Sequence, residues 1–590
     1  MFRTRTRRRA AAAVAVSSLL VLTAACSPAS NANTNPSPTG DATEVEGLGE
    51  AQDLVGEYPR NETVFTSGQQ WGPPSSWNPI PGSGDATGVR GLLYEPLFQF
   101  DPKALELTPF LAESGEWTDA DTYTLHLRDG VTWTDGEALD ADDVVFTVEL
   151  GKNPEVPWSN LWTWLSAVTK VDATTVTFDF SDPRPQEWEN FLYTRVILPQ
   201  HIMSAWSADE LLSNANENPV GSGAFKYKAH GQDRMVWERN DDWWGQDALG
   251  LKMPMKYVVD IVNPSNEVAL GLLIQGSLDL SNNFLPGIKQ LVDSGQVVTY
   301  YDKAPYMLSA NTAMLVPNAT KAPGNDPAFR RALANAIDVD TIVSTAYGDI
   351  VKKASPTGLL PAYEKYYDKD VIDDVGFSFD PDEAKAQLAA AGYKDTDGDG
   401  FVENLDGSAM DLELIVPAGW TDWMDAAKII AESAAEAGIK ITDATPDSGA
   451  VDDARATGSF DLLINNWAQI SNTPWSYYNY LFHMPIQEQQ LSGNFGRVDS
   501  TDAWKLVEEL ARTQADDPHF QEVMSQLQRA SLEQMPMIPL WYNGLWAQST
   551  EKVWTNWPAD GGDSTAYPST WGGYFQMGGL TTLANLKPAK

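Results

Sequence analysis

The stretch LTPFLAESGEWTDADTYTLHLRDGVTWTDGEALDADDVVFTVE, residues 107–149, changes its hydrophobic period midway. Tyr123, Leu125 and Leu127 alternate with polar residues, and Asp129-Gly130 then precedes Val131 and Trp133. Side chains along a strand alternate between faces, so this spacing predicts two strands joined by a turn. Asp140 next stands where a helix needs a cap, with Asp143 three residues on to reciprocate. Val144, Val145 and Val148 follow at helical spacing and form the predicted inner face. Strands running into a capped helix point to a chain that mixes both elements.

The same punctuation recurs further along. Asp326 and Pro327 open a predicted helix in NDPAFRRALANAIDVDTIV, and FDPDEAKAQLAAAGY carries Asp380 as cap, Pro381 and Glu383 in the first turn and Gly392 as the stop. DLELIVPAG, a helical stretch over 425–437 and GIKITDA read as strand, helix and strand. With no internal repeat and 590 residues, the expectation is an α/β chain of about two to four domains.

Charge and leader bound the compartment. The formal charge is −41, which repels phosphate backbones and anionic head groups and makes nucleic acid an improbable partner. MFRTRTRRR supplies five Arg and no acid, AAAVAVSSLLVL is a short apolar run, and Cys26, the only cysteine, follows Ala24-Ala25. Residues 1–25 read as a signal peptide too short to span a membrane as a mature helix. They resemble a bacterial lipoprotein signal, in which Cys26 becomes the lipidated first residue; the alternatives are a plain leader cut after Ala25 and a twin-arginine route. Residues 26–58, rich in Ser, Asn and Pro and then acidic, read as a disordered tether. The expected place is the outer face of the cell membrane, held by the lipid alone.

Signatures of catalysis are absent. GSGDATG after Pro81 lacks the spacing and the Lys of a phosphate loop, and His126, His201, His230, His483 and His519 never fall at metal-ligand spacing. No catalytic residue and no required cofactor follow, although a carboxylate pair for glycoside hydrolysis stays open among so many acids. DTDGDGFVENLD places Asp395, Asp397, Asp399 and Phe401 at calcium-loop positions, with Asp406 where a bidentate Glu is usual. The readings are a weak structural Ca²⁺ staple or a solvated acidic turn.

Several segments, in order, resemble the large solute-binding proteins of bacterial ABC importers, the oligopeptide/dipeptide/nickel-binding class. They are LLYEPLFQFDP, the stretch 107–149, NPVGSGAFKYK with RNDDWWG, GSLDL, FRRALANAIDVDTIV, DPDEAKAQLAAAGY and GSFDLLINNWA. The resemblance implies a two-lobed, periplasmic-binding-protein-like α/β fold (type II, large class) with an inserted third subdomain and a cleft that closes on ligand. It assigns 59–90, 196–302 and 541–590 to lobe one, 91–195 to the insertion and 303–540 to lobe two. It also implies a monomer that hands its solute to ABC permease subunits.

The solute is read from the aromatic content. Trp occurs 22 times, more than Tyr or Phe, and clusters as Trp71 with Trp77, Trp420 with Trp423, Trp467 with Trp475 and Trp541 with Trp546. INNWAQISNTPWSYYNYLF, residues 464–482, combines rings and amides without one charge. Peptide-binding members of the class usually read W-x-x-D-Y-x-D-P at this place, whereas this chain has Ile470 and Thr473 at the two acid positions. An ammonium docked there would lose its hydration without a counter-charge. Amides that donate and accept, beside flat rings, suit sugar hydroxyls and pyranose faces. The expected contact residues are Trp71, Trp77, Asn283, Asn311, Trp420, Asn466, Trp467, Gln469 and Trp541. The expected ligand is a neutral oligosaccharide, β-linked and of cello-oligosaccharide type; the alternatives are an oligopeptide receptor and a secreted glycoside hydrolase.

Overall fold

The computed structural model describes residues 58–68, 70–81, 84–562, 567 and 579–590. The leader 1–25, Cys26 and the tether up to residue 57 lie outside the described residues, while Tyr58 is buried against Tyr257. Within 107–149 the strand Thr122–Leu127 buries Tyr123, Leu125 and Leu127, as its alternation predicts. It pairs antiparallel with Ala112–Trp117 on one edge and Thr175–Phe180 on the other, and Leu165–Lys170 completes a four-stranded sheet. The predicted second strand over Val131–Trp133 does not form; Thr132 makes one isolated bridge to Ala138. Both edges of Thr122–Leu127 are already paired, so the turn at Asp129-Gly130 has no edge to return to.

The helix Ala141–Glu149 follows, and its cap is reciprocal: Asp142 N donates to Asp140 Oδ1 at 2.7 Å, and Asp140 N donates to Asp143 Oδ2 at 3.1 Å. Its buried residues are Ala141, Asp143, Val144, Thr147 and Val148, with Val145 only half-buried. Beneath the sheet, Trp188 is fully buried, 4.6 Å from Phe178 and stacked at 8° on Phe191. Trp158 and Trp164 belong to the same core.

Two larger sheets carry the rest. The first runs in the order Val298–Thr299, Gln548–Ser549, Leu280–Ser281, Thr63–Ser67, Tyr257–Ile261, Arg234–Arg239 and Phe225–His230. Thr63–Ser67 is parallel to both Tyr257–Ile261 and Leu280–Ser281. The second runs Lys352–Lys353, Ile538–Gly544, Ser309–Pro317, Leu462–Asn465, Leu412–Ile415 and Ile441–Ala444. Its last three strands are mutually parallel, and Leu412–Ile415 connects to Ile441–Ala444 through the helix Thr421–Glu436. Position 541 therefore falls inside a strand of the second sheet. The helices Pro327–Asn335 and Pro381–Ala391 start at Asp326 and Asp380, each of which accepts a backbone N–H, and the second stops at Gly392 with φ 101°.

The chain passes between the two large sheets along 300–308 and again along 545–547. Leu545 N donates to Leu308 O at 2.8 Å, so the two crossings run side by side.

Candidate functional site

In both large sheets the parallel strands end toward one place. Thr63–Ser67 ends at Gly68, whose φ is 115° and where a Cβ would stand 2.8 Å from Asn283 Oδ1; only glycine fits that approach. Gln70 and Trp71 follow, and Leu280–Ser281 delivers Asn282 and Asn283 beside them. From the second sheet, the ends of Leu412–Ile415 and Leu462–Asn465 deliver Trp420 and Asp422, then Asn466, Trp467 and Gln469, and Ile538–Gly544 brings Asn543 and then Trp546. Together they enclose a cleft of about 570 Å³. Carboxyl ends of parallel strands are where open α/β sheets bind ligands, and the volume is that of a small-molecule site.

Of the residues expected from sequence, Trp71, Asn283, Trp420, Asn466, Trp467 and Gln469 line the cleft. Trp77 does not: it is 2% exposed and packs against Tyr227 and His230. Trp541 is fully buried with its ring 5.2 Å from Tyr347, and Asn311 is a buried strand residue whose backbone bridges Gln469. Strand alternation puts Trp541 on the face of Asn543 but one pleat deeper, which is why a tryptophan in the right strand misses the cavity.

The rings form a partial lining. Trp71 and Trp420, from opposite sheets, meet at 5.1 Å between centroids, and Trp420 meets Trp423 edge-on at 4.8 Å and 72°. Trp546 packs against Phe284 at 5.4 Å. Trp467 is 40% exposed, with the guanidinium carbon of Arg455 3.7 Å from its ring centroid.

Between the rings lie neutral polar groups with capacity to spare. Asn282 Nδ2 donates to Trp546 O at 2.6 Å, but Asn282 Oδ1 has no partner among the described residues. The same holds for Asn543 Oδ1 and for the indole N–H of Trp420. Buried polar atoms are almost always hydrogen-bonded, so three orphans on residues that line the cleft leave unused polar capacity just behind its wall.

The charge-free character of 464–482 does not extend to the cleft as a whole, because acids reach it from elsewhere in the chain. Asp85 pairs with Arg90 at 2.9 Å and Asp452 with Arg455 at 2.8 Å. Asp422 accepts from Asn266 Nδ2 at 3.1 Å and from the Tyr347 hydroxyl at 2.8 Å, and it has no cationic partner among the described residues. Burial pushes its pKa up to about 6, against those two hydrogen bonds. Ile470 and Thr473 are both buried, and neither lines the cleft. Sequence reasoning missed Asn266, Asp422 and Arg455; they sit on helices whose local pattern carries only caps and salt bridges. Trp423, Asn465 and Trp546 also line the cleft and stood in stretches already singled out by composition, so their signal was recoverable.

In the acidic loop, the carboxylates of Asp395, Asp397 and Glu403 lie within 4.8 Å of one another. Asp399 instead accepts from Phe401 N, and Asp406 from Ser408 N and Oγ. Glu403 thus stands in the cluster where Asp399 and Asp406 were expected. Among the described residues no helix is long and apolar enough to cross a membrane.

The sequence pattern of the family described as "Bacterial extracellular solute-binding proteins, family 5 Middle" matches residues 106–489. An oligopeptide ABC transporter periplasmic binding protein of Thermotoga maritima, solved with mannohexaose bound, superposes with a TM-score of 0.88 at 43% identity, covering 90% of this chain and 99% of that one. The oligopeptide-binding protein AppA of Bacillus subtilis is 28% identical over 482 residues, 80% of this chain and 84% of its own length. The peptide transport periplasmic protein SapA of Salmonella typhimurium is 26% identical over 483 residues, 76% of this chain and 81% of its own length.

Proposed function

The chain belongs to the bacterial extracellular solute-binding proteins of family 5, the receptors of ABC importers, and on that premise we propose that its solute is a neutral oligosaccharide, β-linked and of cello-oligosaccharide type. The observation that carries this reading is the set of buried neutral groups left without partners beside flat rings: Asn282 Oδ1, Asn543 Oδ1 and Trp420 Nε1. A sugar hydroxyl donates and accepts at once, so it satisfies either kind, and pyranose C–H faces stack on indoles. The mannohexaose held by the Thermotoga maritima relative supports a sugar.

The ligand bridges two lobes, built on the first and second large sheets, and favours the closed arrangement because it touches both. The four-stranded sheet belongs to the inserted subdomain. The receptor works as a monomer, tethered to the outer face of the cell membrane through lipidated Cys26, and delivers its sugar to permease subunits without altering it. Ca²⁺ bound at Asp395, Asp397 and Glu403 would be a structural staple outside this cycle.

Asp422 favours a second reading, an oligopeptide. A buried carboxylate without a cation would pair with a terminal ammonium, and AppA is named for oligopeptides. Titration calorimetry with cellopentaose, mannohexaose and a pentapeptide, side by side, decides between the two. Micromolar or tighter sugar binding with weak salt dependence is expected, since no ion pair forms. Tight binding of the free-amine peptide, lost on N-acetylation, would replace the sugar reading. Shortening of the sugars during the titration would make the protein a hydrolase.

A further inference from the structure

An exposed indole ordinarily turns among rotamers, and a ligand that stacks on it has to fix it at an entropic cost. Trp467 is 40% exposed, yet it is restrained on several sides. Its backbone sits in a short turn, with Trp467 N donating to Asn465 Oδ1 at 2.9 Å and Gln469 N donating to Trp467 O at 2.9 Å. Phe495 meets the ring at 5.6 Å and 82°, an edge contact. The guanidinium of Arg455 lies over one face, its central carbon 3.7 Å from the indole centroid and 5.2 Å from that of Phe495.

Arg455 projects from the helix Ser448–Thr457 and is only 8% exposed, while Asp452, one turn earlier, holds its Nη1 at 2.8 Å. A planar, weakly hydrated guanidinium can lie flat on an indole, where a compact and strongly hydrated ammonium cannot. With that face occupied, the ligand meets the other. The pairing with Asp452 also balances the charge, so the cation places no unpaired charge against a neutral solute.

We infer that Arg455 is a positioning residue: it holds the Trp467 indole in one orientation and so presents the free face to a pyranose ring. This rests on the reading that Trp467 stacks on sugar. It assigns a role in recognition to a charged residue that has no need to touch the ligand.

The test is a double-mutant cycle on the full-length protein, titrated with cellopentaose and mannohexaose. Arg455→Ala should weaken binding about 3- to 10-fold, the scale for immobilising one loose side chain on binding. In a Trp467→Ala background the same change should cost nothing further. Labelling with 5-fluorotryptophan adds a readout that a purely structural role would not move. The ¹⁹F resonance lost in Trp467→Ala identifies that ring, and in Arg455→Ala it should shift or broaden while the other resonances stay. Melting curves accompany every variant, and Arg455→Gln carries the cycle if Arg455→Ala does not fold. An equal loss in both backgrounds would make Arg455 a direct ligand contact and overturn the proposal. Wild-type affinity in both Arg455 variants would overturn it as well. Wild-type affinity in Trp467→Ala removes the stacking reading itself and the proposal with it, a pattern distinct from the other two.

Discussion

The indole of Trp71 meets that of Trp420 at 5.1 Å between centroids and 41° between planes, although one ring follows a strand of the first large sheet and the other a strand of the second. Beside them Asn266 N donates to Gly419 O at 3.2 Å, and Asn266 Nδ2 reaches Asp422. The halves of the molecule thus touch through side chains that also line the cleft. Trp71→Ala and Trp420→Ala are each expected to cost about 1–3 kcal/mol of sugar binding, the scale of a buried aromatic contact in a site. Trp77→Ala, by contrast, empties core and should destabilise the fold by about 3–5 kcal/mol. Calorimetry and melting curves on the three variants separate the roles.

Asn543 gives the opposite sign for stability. Its Oδ1 is buried and unpartnered, so Asn543→Ala removes an orphan acceptor rather than a native bond. The melting temperature of the free protein should hold or rise, while sugar affinity falls by about 1–2 kcal/mol if a hydroxyl donates there. A variant that melts lower and binds normally would place the partner of Asn543 inside the protein.

Asp422 makes stability depend on pH. Its folded-state pKa, about 6, lies above the ordinary carboxylate value of 3.8, so the folded chain holds a proton that the unfolded chain has released. Stability from this group therefore falls as pH rises from about 4 to about 6 and is flat above. Asp422→Asn removes the slope. The melting temperature of the variant minus that of the wild type should climb across that window, and a constant difference would mean the carboxyl is not perturbed.

The proposed anchoring rests on a single residue. Cys26→Ser should move the protein from the membrane fraction to the soluble one; a variant that still sediments with membranes refutes lipidation at that position.

Millimolar Ca²⁺ should raise the melting temperature without changing sugar affinity, because an ion bound only to the folded state adds linkage stability. Asp397→Asn should abolish the rise. A melting curve indifferent to Ca²⁺ leaves the loop a solvated turn.

Local signals in the sequence proved dependable where one short rule governs. Asp140, Asp326 and Asp380 cap their helices because a side-chain oxygen two or three residues from free N–H groups needs no tertiary help. The strand expected over Val131–Trp133 failed because pairing depends on a vacant edge, and the neighbouring strand 112–117 and the more distant 175–180 had filled both. In the cleft, the aromatic and amide residues of loops were legible by composition. Trp77 and Trp541 were not distinguishable from them, since depth in a lobe is decided by packing across the whole chain. Asp422 and Arg455 come into the cleft through helix placement, which nothing adjacent in sequence encodes.

The side-by-side crossings at 300–308 and 545–547 have a mechanical consequence. A single connector would let the halves twist as well as bend, but two connectors tied by the bond from Leu545 N to Leu308 O should resist torsion and favour one axis of rotation. The opening of the cleft would then be described by one coordinate, the angle about that axis. One pair of fluorescent labels across the cleft mouth should track it, and a second pair at another angle should report the same transition. With Cys26 the only native thiol, a Cys26→Ser background makes that ruler simple to build.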